Sequence, residues 1–188
     1  MNIVLIGYRC SGKTTVGKAL ARMLNMEFID TDQAVEKHSG RSIEQIILKS
    51  GWAQFRALEK EIITHIAAKD NLVIATGGGV VLDKGNIDQL RKNGFTIWLK
   101  VHPSVIKERM AQDELHGIRR PPLKGKNSVD EISKVLSERE RLYEEAADLI
   151  VDTSSSDIKK VCQSIIANIE LICGKEWTHG RQLYRQSL

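Results

Sequence analysis

Residues 7–14, Gly7-Tyr8-Arg9-Cys10-Ser11-Gly12-Lys13-Thr14, satisfy the pattern G-x-x-x-x-G-K-[ST] at every fixed position. In such a string the glycines let the backbone wrap tightly, so that successive N–H groups point inward at phosphate oxygens. A helix that starts at the lysine adds the positive end of its dipole. Lys13 would reach the outer phosphates of a nucleoside triphosphate, and the Thr14 hydroxyl would hold a magnesium ion. The segment from Cys10 through Ser11, Gly12, Lys13 and Thr14 to Thr15 is the predicted nucleotide contact. The string identifies a phosphoryl donor and leaves the acceptor open, because several classes of kinase and GTPase share it.

Acceptor chemistry has to come from elsewhere in the chain. Asp30-Thr31-Asp32 supplies two carboxylates two residues apart. One can serve a magnesium ion through water, and the other can accept a hydrogen bond from a hydroxyl about to be phosphorylated. Asp32 is equally suited to cap the helix that follows. Gly77-Gly78-Gly79 would let a ligand approach bare backbone amides. Arg56 and Arg139 each read as surface residues alone; beside the glycines they would make an anion pocket, since the guanidinium fork suits a carboxylate.

These residues need a scaffold that brings them to one edge. Short apolar runs at 2–6, 28–29, 72–75, 96–101 and 149–151 have the character of buried parallel strands. Between them lie helical stretches at 13–24, 32–38, 42–49, 52–68, 83–93, 104–112, 129–147 and 158–172. In the first, Val16, Leu20, Met23 and Leu24 recur at helical spacing; in the fourth, Phe55, Leu58, Ile62, Ile63 and Ile66 share a side. Strands alternating with helices predict a parallel sheet covered on both faces, with the cradle and the Asp30–Asp32 segment at the same strand ends. Residues 116–126 carry Pro121-Pro122, no periodicity, and four basic residues with no acid, which suits a lid or an anion clamp.

Composition narrows the class. The 188 residues are 41% apolar and 28% charged, with a net charge of +4. That is an ordinary balance for a soluble enzyme, with basic and acidic residues interleaved rather than gathered as nucleic-acid binding requires. Cys10, Cys162 and Cys173 have neither metal spacing nor an even pairing, which reads as free thiols in a reducing cytoplasm. The five histidines show no metal-ligand spacing, and Trp52, Trp98 and Trp177 are read as packing residues. No segment has the length and apolarity of a membrane span.

The set formed by residues 7–14, Phe28-Ile-Asp-Thr-Asp32, Phe55-Arg56, Thr76-Gly-Gly-Gly79, Arg120-Pro121 and Arg139-Glu-Arg-Leu-Tyr143 resembles shikimate kinase, with the motifs in the family's order from Asn2 to about Ile172. The resemblance implies a three-layer α/β/α P-loop NTPase fold, of the nucleoside monophosphate kinase type, with a parallel sheet and a mobile lid. It implies ATP-dependent phosphorylation of the 3-hydroxyl of shikimate on the way to chorismate and the aromatic amino acids. Carried over by position, Asp32 binds the shikimate hydroxyls and acts as base, Arg56 and Arg139 hold the carboxylate, and Gly77, Gly78 and Gly79 line the substrate. Thr14, with Asp30 through water, holds Mg2+. Arg109 resembles the adenine-stacking arginine, and Arg120 belongs to a lid at about 113–127 and reaches the transferring phosphate. Arg119-Arg120 is doubled here; Arg120 is preferred because it directly precedes the proline. Cys10 stands where the family often has glycine.

One domain spanning 1–173 and a tail at 174–188 are expected, in a cytoplasmic monomer whose partners are shikimate and ATP, with no nucleic acid and no membrane. A gluconate kinase would share cradle and lid but gives no reason for Arg56, the triple glycine and Arg139 together. A nucleoside monophosphate kinase would want a base-recognition segment. A non-catalytic nucleotide-binding module would be marked by loss of Lys13, Asp32 or Arg139, all of which are present.

Overall fold

A computed structural model of the chain describes residues 1–115, 129–154 and 157–174. Five strands, β1 (Asn2–Ile6), β2 (Glu27–Asp30), β3 (Leu72–Ala75), β4 (Gly94–Lys100) and β5 (Leu149–Asp152), form one sheet in the order β2-β3-β1-β4-β5. Every pairing is parallel, with Ile3 opposite Val73 on one side and Phe95 on the other. The helices are α1 (Lys13–Leu24), α2 (Thr31–Ser39), α3 (Ile43–Ala67), α4 (Lys84–Arg91), α5 (Pro103–Leu115), α6 (Val129–Ala146) and α7 (Ile158–Cys173), with a 3-10 turn at Val80–Leu82. Parallel neighbours need crossover connections, and the helices that supply them cover both faces of the sheet.

The period-two alternation of β1 divides the core. Ile3 and Leu5 join Val16, Leu20 and Leu24 of α1 and Ile165 and Ile169 of α7 on one face. Val4 and Ile6 join Phe55, Ile62, Ile63 and Ile66 of α3, with Trp98 and Tyr143, on the other. Each fully buried side chain of this size contributes about 1.5–3 kcal/mol from leaving water. A smaller cluster, Tyr8, Ile106, Met110, Ile132 and Val135, packs α5 against α6 beyond the strand ends. The layering is the three-layer α/β/α arrangement predicted. Met23 departs from its predicted place in the α1 stripe and is exposed.

The stretches predicted separately at 42–49 and 52–68 run on as α3, with Gly51 at φ 78° making the kink between them. Its start follows a capping box in which the Ser42 hydroxyl accepts from the Gln45 amide and the Gln45 side chain accepts from the Ser42 amide. No helix among the described residues is long and apolar enough to cross a membrane.

Candidate active site

The phosphate cradle lies between the end of β1 and the start of α1. The Lys13 ammonium, 9% exposed, donates to the carbonyls of Gly7 (2.8 Å) and Tyr8 (2.7 Å) and reaches the Ser11 hydroxyl at 3.4 Å. Cys10 has φ 58°, a left-handed conformation that disfavours any residue with a Cβ. Its thiol reaches the Asp113 carboxylate at 3.5 Å, on the last turn of α5. Arg109 donates to the carbonyls of Cys10 (3.1 Å) and Thr153 (2.6 Å), and the Thr153 hydroxyl donates to the Ser11 carbonyl at 3.0 Å. The cradle is thus tied to α5 and to the residue just after β5.

Asp30 and Asp32 stand beside it at the end of β2. Asp30, not Asp32, caps α2: its Oδ1 accepts from the amides of Asp32 (3.1 Å) and Gln33 (3.3 Å). The cause is positional, since the strand delivers Asp30 in extended conformation and the helix has begun by Thr31. The other Asp30 oxygen accepts from the Thr14 hydroxyl at 2.8 Å. A hydroxyl and a carboxylate side by side form a hard-oxygen donor set of the kind magnesium takes, with few protein ligands and its remaining positions left for water and phosphate. These residues fit the ion.

The triple glycine is where the remaining candidates meet. The Gly77 amide donates to the buried Thr31 hydroxyl at 3.0 Å, so the middle residue of the Asp-Thr-Asp segment fixes the turn. A Cβ on Gly77 would lie 2.6 Å from Asp32 Oδ1 and 2.9 Å from Glu59 Oε1, and a Cβ on Gly79 would collide with the Arg56 guanidinium. Only residues without side chains admit these groups so close. Arg56 Nη1 donates to Glu59 Oε2 at 2.6 Å, and its guanidinium lies over the rings of Trp52 and Phe55 at 5.6 and 5.0 Å. Trp52, predicted as packing, is partly exposed and serves as this platform. Arg139 Nη1 donates to the Gly78 carbonyl at 3.1 Å, and Tyr143 Oη donates to the same oxygen at 2.6 Å.

Glu59 was not visible in the sequence, where it reads as one more acid on a charged helix face. In the fold it is 1% exposed, and Oε1 has no hydrogen-bond partner among the described residues. Burial pushes its carboxyl above the usual glutamate range, with the Arg56 charge and hydrogen bond opposing. A cavity of about 340 Å³ opens over the cradle, walled by residues 9–16 together with Asp30, Asp32, Gly78 and Arg109. Arg56, Gly77, Gly79 and Arg139 are not on that wall; they gather at the glycine turn. Of the lid expected at about 113–127, residues 113–115 close α5, and the rest, with Arg119 and Arg120, lies outside the described residues, as does the tail after Gly174.

The family model described as shikimate kinase matches residues 9–170. The chain belongs to the shikimate kinase family. It is 42% identical over 171 residues to shikimate kinase 2 of Enterobacter sp. strain 638, covering 91% of this chain and 97% of that one. The shikimate kinase of Caldanaerobacter subterraneus subsp. tengcongensis is 44% identical over 165 residues, 88% of this chain and 94% of that one. Among solved structures, the shikimate kinase of Acinetobacter baumannii in complex with shikimate superposes with a TM-score of 0.83 at 31% identity, covering 93% of this chain and 94% of that one. The cradle and the glycine turn abut at Gly78, where a Cβ would lie 3.2 Å from the Arg9 amide nitrogen.

Proposed function

We propose that this chain transfers the γ-phosphoryl group of ATP to the 3-hydroxyl of shikimate, giving shikimate 3-phosphate and ADP, a step of chorismate and aromatic amino acid biosynthesis. The observation that carries the reading is the convergence of Asp32, Arg56, Glu59 and Arg139 on the triple-glycine turn, directly beside the cradle. Such a turn with two acids and two guanidinium groups suits a small polyol that carries one carboxylate.

Each role follows from placement. The cradle amides and Lys13 bind the triphosphate, and Lys13 exchanges the Gly7 and Tyr8 carbonyls for phosphate oxygens. The Arg109 guanidinium, hydrogen-bonded in its plane to two carbonyls, keeps a flat face for the adenine. Arg56 and Arg139 hold the substrate carboxylate, and Glu59 orients Arg56. That anchoring sets the 3-hydroxyl against Asp32, which accepts its proton as the hydroxyl oxygen bonds to the γ-phosphorus and the bond to ADP breaks. Thr14 and Asp30 would hold Mg2+, which supplies charge neutralisation at the phosphates when bound. Arg120 on a lid at 113–127 would bring further positive charge and exclude water, which otherwise competes as acceptor. Phosphoryl transfer asks for positioning and charge more than covalent catalysis, and this residue set provides both.

The kinase unit is assigned to 1–173, with 174–188 as a tail, in a monomeric cytoplasmic enzyme; Cys10, Cys162 and Cys173, none of them in a disulfide among the described residues, suit a reducing compartment. A coupled assay of ADP release with shikimate, quinate and gluconate tests the reading. Turnover that depends on shikimate is expected. Folded, ATP-binding protein with no shikimate-dependent ADP release would sink it.

A further inference from the structure

Tyr143 has no part in the roles above. It is the largest fully buried side chain among the described residues, and its one polar side-chain atom is aimed at the acceptor side. Its ring stacks on Trp98 with centroids 5.5 Å apart and planes 16° from parallel. That hydroxyl donates to the Gly78 carbonyl at 2.6 Å, shorter than the 3.1 Å from Arg139, which lies one turn earlier on α6. Gly78 itself packs on the cradle, where a Cβ would lie 3.2 Å from the Arg9 amide nitrogen. The shared carbonyl therefore belongs to the residue that separates donor from acceptor. Burial pushes the phenol up to about 12, with Arg139 pulling the other way, so it stays a neutral donor throughout the working pH range.

A carbonyl oxygen has two lone pairs, and here both are matched to donors of α6. The phenol holds one, and Arg139, whose guanidinium also hydrogen-bonds the phenol oxygen, supplies an N–H to the other. Without the phenol, Arg139 becomes the only side-chain donor on that carbonyl among the described residues and loses its own contact with the phenol oxygen, so the turn and the guanidinium are both less well fixed. We infer that Tyr143 is a positioning residue for phosphoryl transfer: its hydroxyl fixes the Gly78 carbonyl, and so the geometry in which Arg139 meets the substrate carboxylate. This rests on the shikimate kinase reading.

Wild-type turnover is measured first. Absence of shikimate-dependent ADP release there would overturn the functional reading, and this inference with it, before any variant is compared. Tyr143→Phe keeps the ring and removes the hydroxyl. Its KM for shikimate is expected to rise about fivefold to tenfold, the scale of one hydrogen bond, while ATP affinity stays within about twofold. Combined with Arg139→Lys, the loss should be smaller than the product of the two single effects, as for groups that share one acceptor. Trp98→Phe, which weakens the stack and spares the hydroxyl, should lower the melting temperature and leave the shikimate KM near wild type. A wild-type KM in Tyr143→Phe, an equal loss of ATP and shikimate affinity, full additivity with Arg139→Lys, or the same KM rise in Trp98→Phe would overturn the proposal. An insoluble Tyr143→Phe protein would assign the hydroxyl to folding and overturn it too.

Discussion

The proposed donor and acceptor halves of the site are built in opposite ways. The donor half is one continuous stretch, residues 7–15, whose binding groups are mostly backbone amides shaped by the turn from β1 into α1. The acceptor half is assembled from side chains on α2, α3 and α6 that come together only at Gly77, Gly78 and Gly79. A contiguous backbone cradle recognises phosphate wherever it occurs, which is why many enzymes share it. A carboxylated polyol has to be recognised by groups with particular directions, and three elements fix those directions better than one loop does.

If the two halves are separable, substitutions should sort by side. The largest effect is expected at Lys13, the cation proposed to serve the transferring phosphoryl. Lys13→Ala should lower kcat on the order of a thousandfold with every acceptor tried, measured by ADP release at saturating shikimate. Next comes Arg139→Ala, expected to raise the shikimate KM about a hundredfold, the scale of a charged hydrogen-bonded pair, with nucleotide affinity nearly intact. A large loss of ATP affinity by titration calorimetry would instead break the division.

Glu59 sharpens the acceptor side through pH. Its carboxyl is raised, so the native state holds the proton to higher pH than the unfolded chain does. Its ionisation therefore opposes folding, and the stability it confers is present at low pH and lost as pH rises from the ordinary glutamate range through the raised value. In the proposed function the effect runs the other way, because the ionised form is the one that grips Arg56. Wild-type shikimate KM should climb as pH falls through the same window, while Glu59→Gln should show a raised KM at neutral pH and lack this acid limb. An identical pH profile in both proteins would remove Glu59 from the anchor. The smallest effect belongs to the donor side. Cys10→Gly relieves a left-handed residue, worth about 1 kcal/mol, and should raise the melting temperature by about 2–4 °C in thermal unfolding.

The same contrast explains what the sequence made legible. The bounds of β1 and α1 were readable to the residue because an apolar run, a glycine string and a helical stripe are all local patterns. The five strands and their parallel sense followed from alternation with helices. Gly51 was missed as a kink because both flanking stretches read as complete helices. Glu59 and Tyr143 were missed because their environment is tertiary. An acid between Leu58 and Lys60 gives no sign that a neighbouring glycine turn will bury it. A tyrosine on a charged helix gives no sign that its hydroxyl ends on a carbonyl 65 residues away. The Thr31 hydroxyl on the Gly77 amide is of the same kind.

The place of β1 in the sheet has a consequence for biosynthesis. The first strand of the chain is the middle strand, flanked by partners that begin at residues 72 and 94. As the polypeptide leaves the ribosome, the cradle emerges ahead of both neighbouring strands and has no walls to lean on until β4 is out. Closing such long loops is the slow part of building a parallel sheet. The cradle segment is therefore made before either strand it leans on, and a nascent chain halted before residue 94 should retain no nucleotide.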